Sequence, residues 1–228
     1  MMAARVAWSG LRSNSNYTNI QTVGMKSKRR TQVDRTAATR QALLSAARSL
    51  FAKHGYRNVG TEAIVQAAGV SRGALYHQFA DKVELFAAVF EAVEAEVIAR
   101  IAAAVADDKL SDPVDLMRLG ASTWLDACAD PEVHLIALID APAVLGWTRW
   151  REIGSRYGMG LTQRMLTHAM AAGRVPRQPV EPLAHVLLGA LRESALFLAD
   201  AQNHAQARRE IGAVLDRLIL SLGIPAGT

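Results

Sequence analysis

The stretch Thr61-Glu62-Ala63-Ile64-Val65-Gln66-Ala67-Ala68-Gly69-Val70-Ser71-Arg72-Gly73-Ala74-Leu75-Tyr76-His77-Gln78-Phe79 decides the fold. Its first part reads as a helix from Gly60 or Thr61 to Ala68, expected to bury Ile64 with Ala67 or Ala68. Gly69-Val70-Ser71 then reads as a tight turn and an N-cap, since a serine oxygen accepts from first-turn amides that lack an intrahelical partner. A short second helix follows through Gln78. Two helices joined by such a turn form a helix-turn-helix, whose second member can enter the major groove of DNA with its first residues against the base edges.

On that second helix Leu75 and Phe79 share the inward side at i and i+4, which turns Gly73 and His77 outward, about 160° and 200° from Leu75 at 100° per residue. Arg72, in the first turn, suits bidentate pairing with guanine, and Tyr76 on the flank offers a hydroxyl to a phosphate. Gly73 carries no side chain to hold the helix off the groove, and His77 suits a phosphate or a base. Taken singly, each also has an ordinary reading: a solvated arginine, a half-buried tyrosine, a histidine on a wet face.

Upstream, Leu43, Ala47, Leu50 and Phe51 mark one face of a helix that runs from about Thr36 to His54-Gly55. Downstream, Asp81 is placed to cap a longer helix, with Leu85, Ala88, Val89 and Ala92 on its apolar side, leading out of the small domain to about Val105. Asp112-Pro113 and Asp130-Pro131 each set a capping carboxylate before a proline at the first helical position, where a missing N–H costs nothing. Pro142 interrupts the second of these helices near its end. A long helix from about Val144 to Ala172 closes at Gly173, and Gly154, Gly158 and Gly160 are candidate positions for a break in it. Two last helices are expected over 182–201 and 205–222. No strand alternation and no internal repeat is found, and the alanine-rich, aromatic-poor composition favours an all-α fold.

The segment Leu44-x-x-Ala47-x-x-x-Phe51-x-x-x-Gly55-Tyr56, with Ile64, the run Ala67 to Phe79, and Asp81-Lys82-x-x-Leu85-Phe86, closely resembles the tetracycline-repressor (TetR) family over Thr36 to Phe86. The resemblance implies a homodimeric, one-component transcription regulator, usually a repressor. Its N-terminal three-helix DNA domain would be joined by a connector helix to a C-terminal ligand-binding and dimerisation bundle. Carried over position by position, it makes Ser71, Arg72, Gly73, Tyr76 and His77 the recognition-helix surface and Lys82 a phosphate contact. Thr61 takes the start of the preceding helix, where amides and a hydroxyl meet phosphate. Val59-Gly60 departs from the paired Thr or Ser common there, and Val65 replaces a usual alanine.

Charge divides along the same lines. The whole chain has 26 Lys plus Arg against 21 Asp plus Glu, a net +5. Residues 1–33 hold six bases and no acid, residues 34–85 seven bases and four acids, and residues 86–228 thirteen bases and seventeen acids. The expected units are therefore a disordered basic arm (1–33), a helix-turn-helix domain (34–85) and a neutral-to-acidic body (86–228). Within the arm, Lys28, Arg29 and Arg30, with Lys26, can lie along phosphates or enter the minor groove; a solvated tail is the alternative. Met25 is a reasonable second translation start.

In the body, Trp124, Trp147 and Trp150 fall close together, with His134, Asp140 and Tyr157 nearby, and such residues suit a mostly apolar effector pocket. Trp and Met at helical spacing also simply build cores, Asp140 can finish a helix end, and Arg149 can pair with Glu152 on the surface. The apolar surface of the penultimate helix is broader than a single core face requires, and with the last helix it suits a two-fold, four-helix dimer interface through Leu187, Leu191, Leu198, Leu215 and Leu218. Burial inside one subunit is the alternative.

The function expected is a regulator that binds a palindromic operator as a dimer and is released when a small, mostly apolar effector moves the connector and spoils the spacing of the two recognition helices. Activation, or regulation without a small molecule, is the second reading; a nonspecific DNA-compacting protein and an enzyme are rivals of other classes. No G-x-S-x-G elbow, phosphate-binding glycine loop or metal-spaced histidine pair is present, so neither a metal nor a cofactor is expected. Cys128 is the single cysteine, which excludes an intramolecular disulfide. The most apolar stretch, Leu183 to Ala199, is interrupted by His185, Arg192 and Glu193, and Arg5 interrupts the opening apolar run, so neither a membrane span nor a signal core is expected and the location expected is cytoplasmic.

Overall fold

Helix α1 (Gln32–His54) buries Leu43, Ala47 and Phe51 completely, the i, i+4, i+8 stripe expected of one core-facing side, and stops where Gly55 turns with φ 73°. The computed structural model describes residues 32–107 and 112–223, and no strand occurs among them. The basic arm, with Met25, Lys28, Arg29 and Arg30, lies outside the described residues.

A 3-10 turn (Tyr56–Asn58) leads to α2 (Thr61–Ala68), which ends at left-handed Gly69. Helix α2 buries Ile64 and Val65 and packs Ala68 against the core, while Ala67 is exposed. Helix α3 (Arg72–Gln78) is capped as expected: the Ser71 hydroxyl accepts from the Ala74 N–H at 3.2 Å. Such caps are worth about 1 kcal/mol. Helix α4 (Lys82–Asp107) has Asp81 at its start, whose carboxylate accepts from the Glu84 N–H at 2.8 Å.

Helices α5 (Pro113–Cys128) and α6 (Pro131–Val133) begin with the two Asp-Pro caps; the Asp112 and Asp130 carboxylates each accept an amide at 2.9 Å. After α6 the chain winds as a π-helical stretch over His134–Asp140 and continues into α7 (Ala141–Ala171), with Pro142 in its first turn. No break occurs at Gly154, Gly158 or Gly160. The break is at Gly146, whose φ of 75° suits a residue without a Cβ. Gly158 instead allows a close approach, since a Cβ there would stand 3.2 Å from Leu188 Cδ2. Helices α8 (Val180–Asp200) and α9 (His204–Leu222) complete the body.

One apolar core runs from α1 through α7, with Phe51, Ile64, Leu75, Phe86, Phe90 and Ile136 fully buried in it and Trp150 and Ile153 nearly so. Each such side chain contributes about 1.5–3 kcal/mol on burial. A second cluster, with Val114, Leu166, Ala184 and Ile219, ties α5, α7, α8 and α9 together. Among the described residues α8 alone is long and apolar enough to cross a bilayer by length and composition; it packs inward through Ala184, Leu187, Ala195 and Leu198 against the rest of the bundle.

Candidate nucleic-acid interface and core cavity

Leu75 and Phe79 lie in the core, so α3 is fixed with its opposite side outward. Arg40 of α1 adds a second tether: its guanidinium donates to the Gln78 carbonyl at 3.3 Å and lies 4.3 Å from the centre of the Phe79 ring. Ser71, Arg72, Gly73, Tyr76 and His77 are all exposed, and together they form one surface. A Cβ on Gly73 would meet only Ser71 Oγ, at 3.9 Å, so its missing side chain answers to the outside and not to internal packing. Arg72 donates to Glu62 of α2 at 2.9 Å and sits 5.6 Å from the Tyr76 ring centre, which holds the guanidinium over the outward face. Thr61, half-buried, opens α2 next to this surface.

Lys82 is differently placed. Its Nζ donates to the Tyr56 carbonyl at 2.7 Å and stands 3.8 Å above the Tyr56 ring, and burial there lowers its pKa below the ordinary lysine value. Tyr56 is the hub of this corner. Its ring packs against Phe51 and Phe86 at 5.6 and 5.0 Å, and its N–H donates to the Asp140 carboxylate at 2.6 Å.

Asp140 therefore points to the helix-turn-helix side and not into the cavity, which corrects its expected place beside an effector. Two ion-pair sets strengthen the same junction. Arg48 of α1 bridges Glu96 of α4 and Glu132 of α6, and Arg149 of α7 grips Glu84 of α4 at 2.6 and 2.8 Å where pairing with Glu152 was expected. Glu84 is held below the usual carboxylate range by the hydrogen bond from Arg149.

The body encloses a cavity of about 110 Å³ between α4, α5, α7, α8 and α9. Of the six residues expected there, Trp124 and Trp150 line it. The Trp150 indole N–H donates to the Ala137 carbonyl at 2.9 Å, so the cavity wall is bonded to the π-helical stretch. Trp147 meets Trp150 at a tilt, with ring centres 4.9 Å apart, and is 53% exposed, just after the turn at Gly146. His134 meets His204 edge to face at 5.7 Å, and Tyr157 packs beside the main core; neither lines the cavity.

Sequence reasoning missed Glu94 and Arg192, the two charged residues of the lining. A signal was available for Glu94: it stands one turn from both Phe90 and Ile98 on an otherwise apolar side of α4. Burial pushes its carboxyl up to about 7, against a smaller opposing pull from Arg192.

The dimer residues also need correction. Leu187, Leu198 and Leu215 are buried within the subunit and Leu191 lines its cavity, since this stripe faces α5 and α7. Leu218 remains 40% exposed. The apolar side chains that α8 and α9 leave outside are Val186, Phe197, Val214, Leu218 and Leu220; Val186 with Phe197, and Val214 with Leu218, form a stripe that keeps Leu218 of the expected set, while Leu220 lies on another side of α9.

Residues 43–89 match the description "Bacterial regulatory proteins, tetR family", and residues 114–222 match "Tetracyclin repressor-like, C-terminal domain". The fold superposes on a TetR-family transcriptional regulator from Pectobacterium atrosepticum with a TM-score of 0.77 and 30% identity, covering 86% of this chain and 98% of that one. The chain belongs to the TetR family. Among curated TetR-family relatives, it is 39% identical over 95 residues to the transcriptional repressor AcnR of Corynebacterium diphtheriae, a match spanning 42% of this chain and 43% of that one. It is 23% identical over 191 residues to the transposon Tn10 TetC protein of Escherichia coli, which spans 84% and 95% respectively. As a TetR-family member the protein is a DNA-binding transcriptional regulator with a helix-turn-helix head and a helical body.

Proposed function

We propose that the protein is a ligand-responsive repressor that binds a palindromic operator as a homodimer in the cytoplasm and is released by a small, mostly apolar effector held in the body. The observation that carries this reading is the continuous set of contacts from the cavity to the reading head. Trp150 lines the cavity and bonds Ala137; the π-helical stretch containing Ala137 ends at Asp140; Asp140 bonds Tyr56, which packs on Phe86 at the start of α4. A change of cavity shape that moves Trp150 thus reaches the α1 end and the α4 start, which orient α3.

In this mechanism Arg72 leaves Glu62 for a guanine edge, Tyr76 and His77 meet the backbone and flanking bases, and Thr61 with the α2 amides meets a phosphate. Lys82 acts by holding Tyr56 and contributes charge near the phosphates. The basic arm adds affinity without sequence preference. Pairing of two bodies through the exposed α8 and α9 stripe sets two α3 helices about 34–36 Å apart, one turn of DNA. An effector acts only by its differential affinity for the DNA-competent and released states.

Selection of bound genomic fragments with the purified protein tests the reading. The expected result is a short palindrome whose binding survives excess random DNA and is relieved by a compound that quenches tryptophan fluorescence. Equal competition by random DNA would overturn operator recognition.

A further inference from the structure

The wall of the cavity is apolar except at Thr162, whose hydroxyl donates to the Gly158 carbonyl at 3.1 Å, and at one charged place. Glu94 of α4 and Arg192 of α8 approach the same point beside Gly154: a Cβ there would lie 3.9 Å from Glu94 Oε2 and 4.0 Å from Arg192 Nη2. Any larger residue at 154 would fill that gap. The same Arg192 Nη2 donates to Ser155 Oγ at 3.4 Å, and the guanidinium lies 5.4 Å from the Trp150 ring centre; its other N–H groups make no side-chain bond among the described residues and can still donate.

Glu94 has no such support. Its carboxylate makes no hydrogen bond and no ion pair with any described residue; the residue is half-buried, with its oxygens open to the cavity, and the other titratable group facing it, Cys128 of α5, is a buried thiol held protonated. A carboxylate on a mostly apolar wall, with no protein donor, leaves its acceptor oxygens to whatever fills the cavity, so the donor it lacks has to come from there.

The pair also limits what can arrive. A ligand cation beside Glu94 would face the Arg192 guanidinium across the same gap, and a ligand carboxylate would face Glu94. A hydroxyl satisfies both, donating to the carboxylate and accepting from the guanidinium. The rest of the ligand would lie against Trp124, Trp150, Leu138 and Met165, which suits an aromatic or compact hydrocarbon body. We propose that the cavity takes an uncharged, largely apolar molecule bearing one hydroxyl, of the phenol or alcohol class, with that hydroxyl bound between Glu94 and Arg192. The proposal rests on the effector reading above and specifies its chemistry.

The test uses calorimetric titration of the full chain with four probes of one shape: para-ethylphenol, ethylbenzene, para-ethylbenzoate and para-ethylbenzylamine. The phenol should bind about tenfold more tightly than each of the other three, the value of one well-made hydrogen bond to a charged group. Glu94→Gln should lower phenol affinity about tenfold and leave ethylbenzene unchanged. Thermal unfolding of E94Q controls for folding, since this substitution removes a buried charge and should hold or raise the Tm. Tighter binding of the benzoate or the amine, an unchanged phenol affinity in E94Q, or no binding by any probe would each overturn the proposal. Whether a bound probe releases DNA is read separately by operator retention. Binding without release would count against effector control and leave the assigned chemistry standing.

Discussion

The Asp140 carboxylate accepts the Tyr56 N–H at 2.6 Å, joining the end of a π-helical stretch in the body to the turn that follows α1. The two residues are 84 positions apart in sequence, and their bond crosses from the helical body to the reading head. Removing it with Asp140→Ala strands the amide and takes a negative charge from beside Lys82. The expected cost is about 1–3 kcal/mol in urea denaturation, with operator affinity less affected than its relief by effector. A loss below about 0.5 kcal/mol would show that the contact carries nothing.

Arg72 is predicted to set one base of the operator. Arg72→Ala should relax selectivity at a single position by about 1–3 kcal/mol in binding to a panel of single-base operator variants. Tyr76→Phe, by contrast, should weaken binding evenly across the panel. Unchanged selectivity in R72A would remove the assignment of the α3 surface.

Glu62 restrains Arg72 in the free protein through an exposed ion pair. Glu62→Gln should free that guanidinium and remove a carboxylate from the DNA side, tightening binding to any duplex by up to about tenfold at low salt and less as salt rises. Retention of labelled duplex across a salt series measures this. Weaker binding in E62Q would mean that Glu62 positions Arg72 productively.

Stability should fall as the solution becomes alkaline through the range in which Glu94 ionises. Its carboxyl is raised to about 7 in the folded protein against 4.5 as a free side chain, so the folded state binds more protons between those values. The Glu94 contribution is therefore complete below about pH 4.5 and lost as pH rises through 7, by up to about 3 kcal/mol. Glu94→Gln should flatten this part of the pH–stability curve and exceed the wild type at pH 8. Parallel curves for the two proteins would contradict the assignment.

Pairing of subunits is assigned to the stripe that α8 and α9 leave outside. Phe197→Glu, at a side chain 49% exposed, should give monomers in sedimentation and weaken operator binding, since only one half-site could then be held at a time. Leu187→Ala, in the subunit core, should lower the Tm by several degrees while leaving the association state intact.

The sequence made the reading head plain because its decisive features are local. Ser71 caps α3, Asp81 caps α4, and Leu75 and Phe79 mark the buried side, all within short reach along the chain. The body was legible as helices but not as a site, because which side of a helix meets a neighbour is decided between helices. Leu187 and Leu215 looked available to a partner and proved to be filled by α5 and α7, while Trp147 stands exposed just after a left-handed glycine that sequence periodicity does not reveal. Asp140 was misplaced for the same reason: its hydrogen-bonding partner is a backbone amide 84 residues away.

The apolar core shared by α1, α4 and α7 has a practical meaning for anyone cutting the molecule apart. Leu85, Phe86, Val89 and Phe90 pack at once under the reading head and against the body, so a fragment ending near residue 85 would lay bare a large greasy surface that the whole chain keeps dry. Head and body should melt in a single cooperative step. Exchanging heads between such regulators would then succeed only where the first two turns of α4, and the side chains of α7 that meet them, are carried along in the graft.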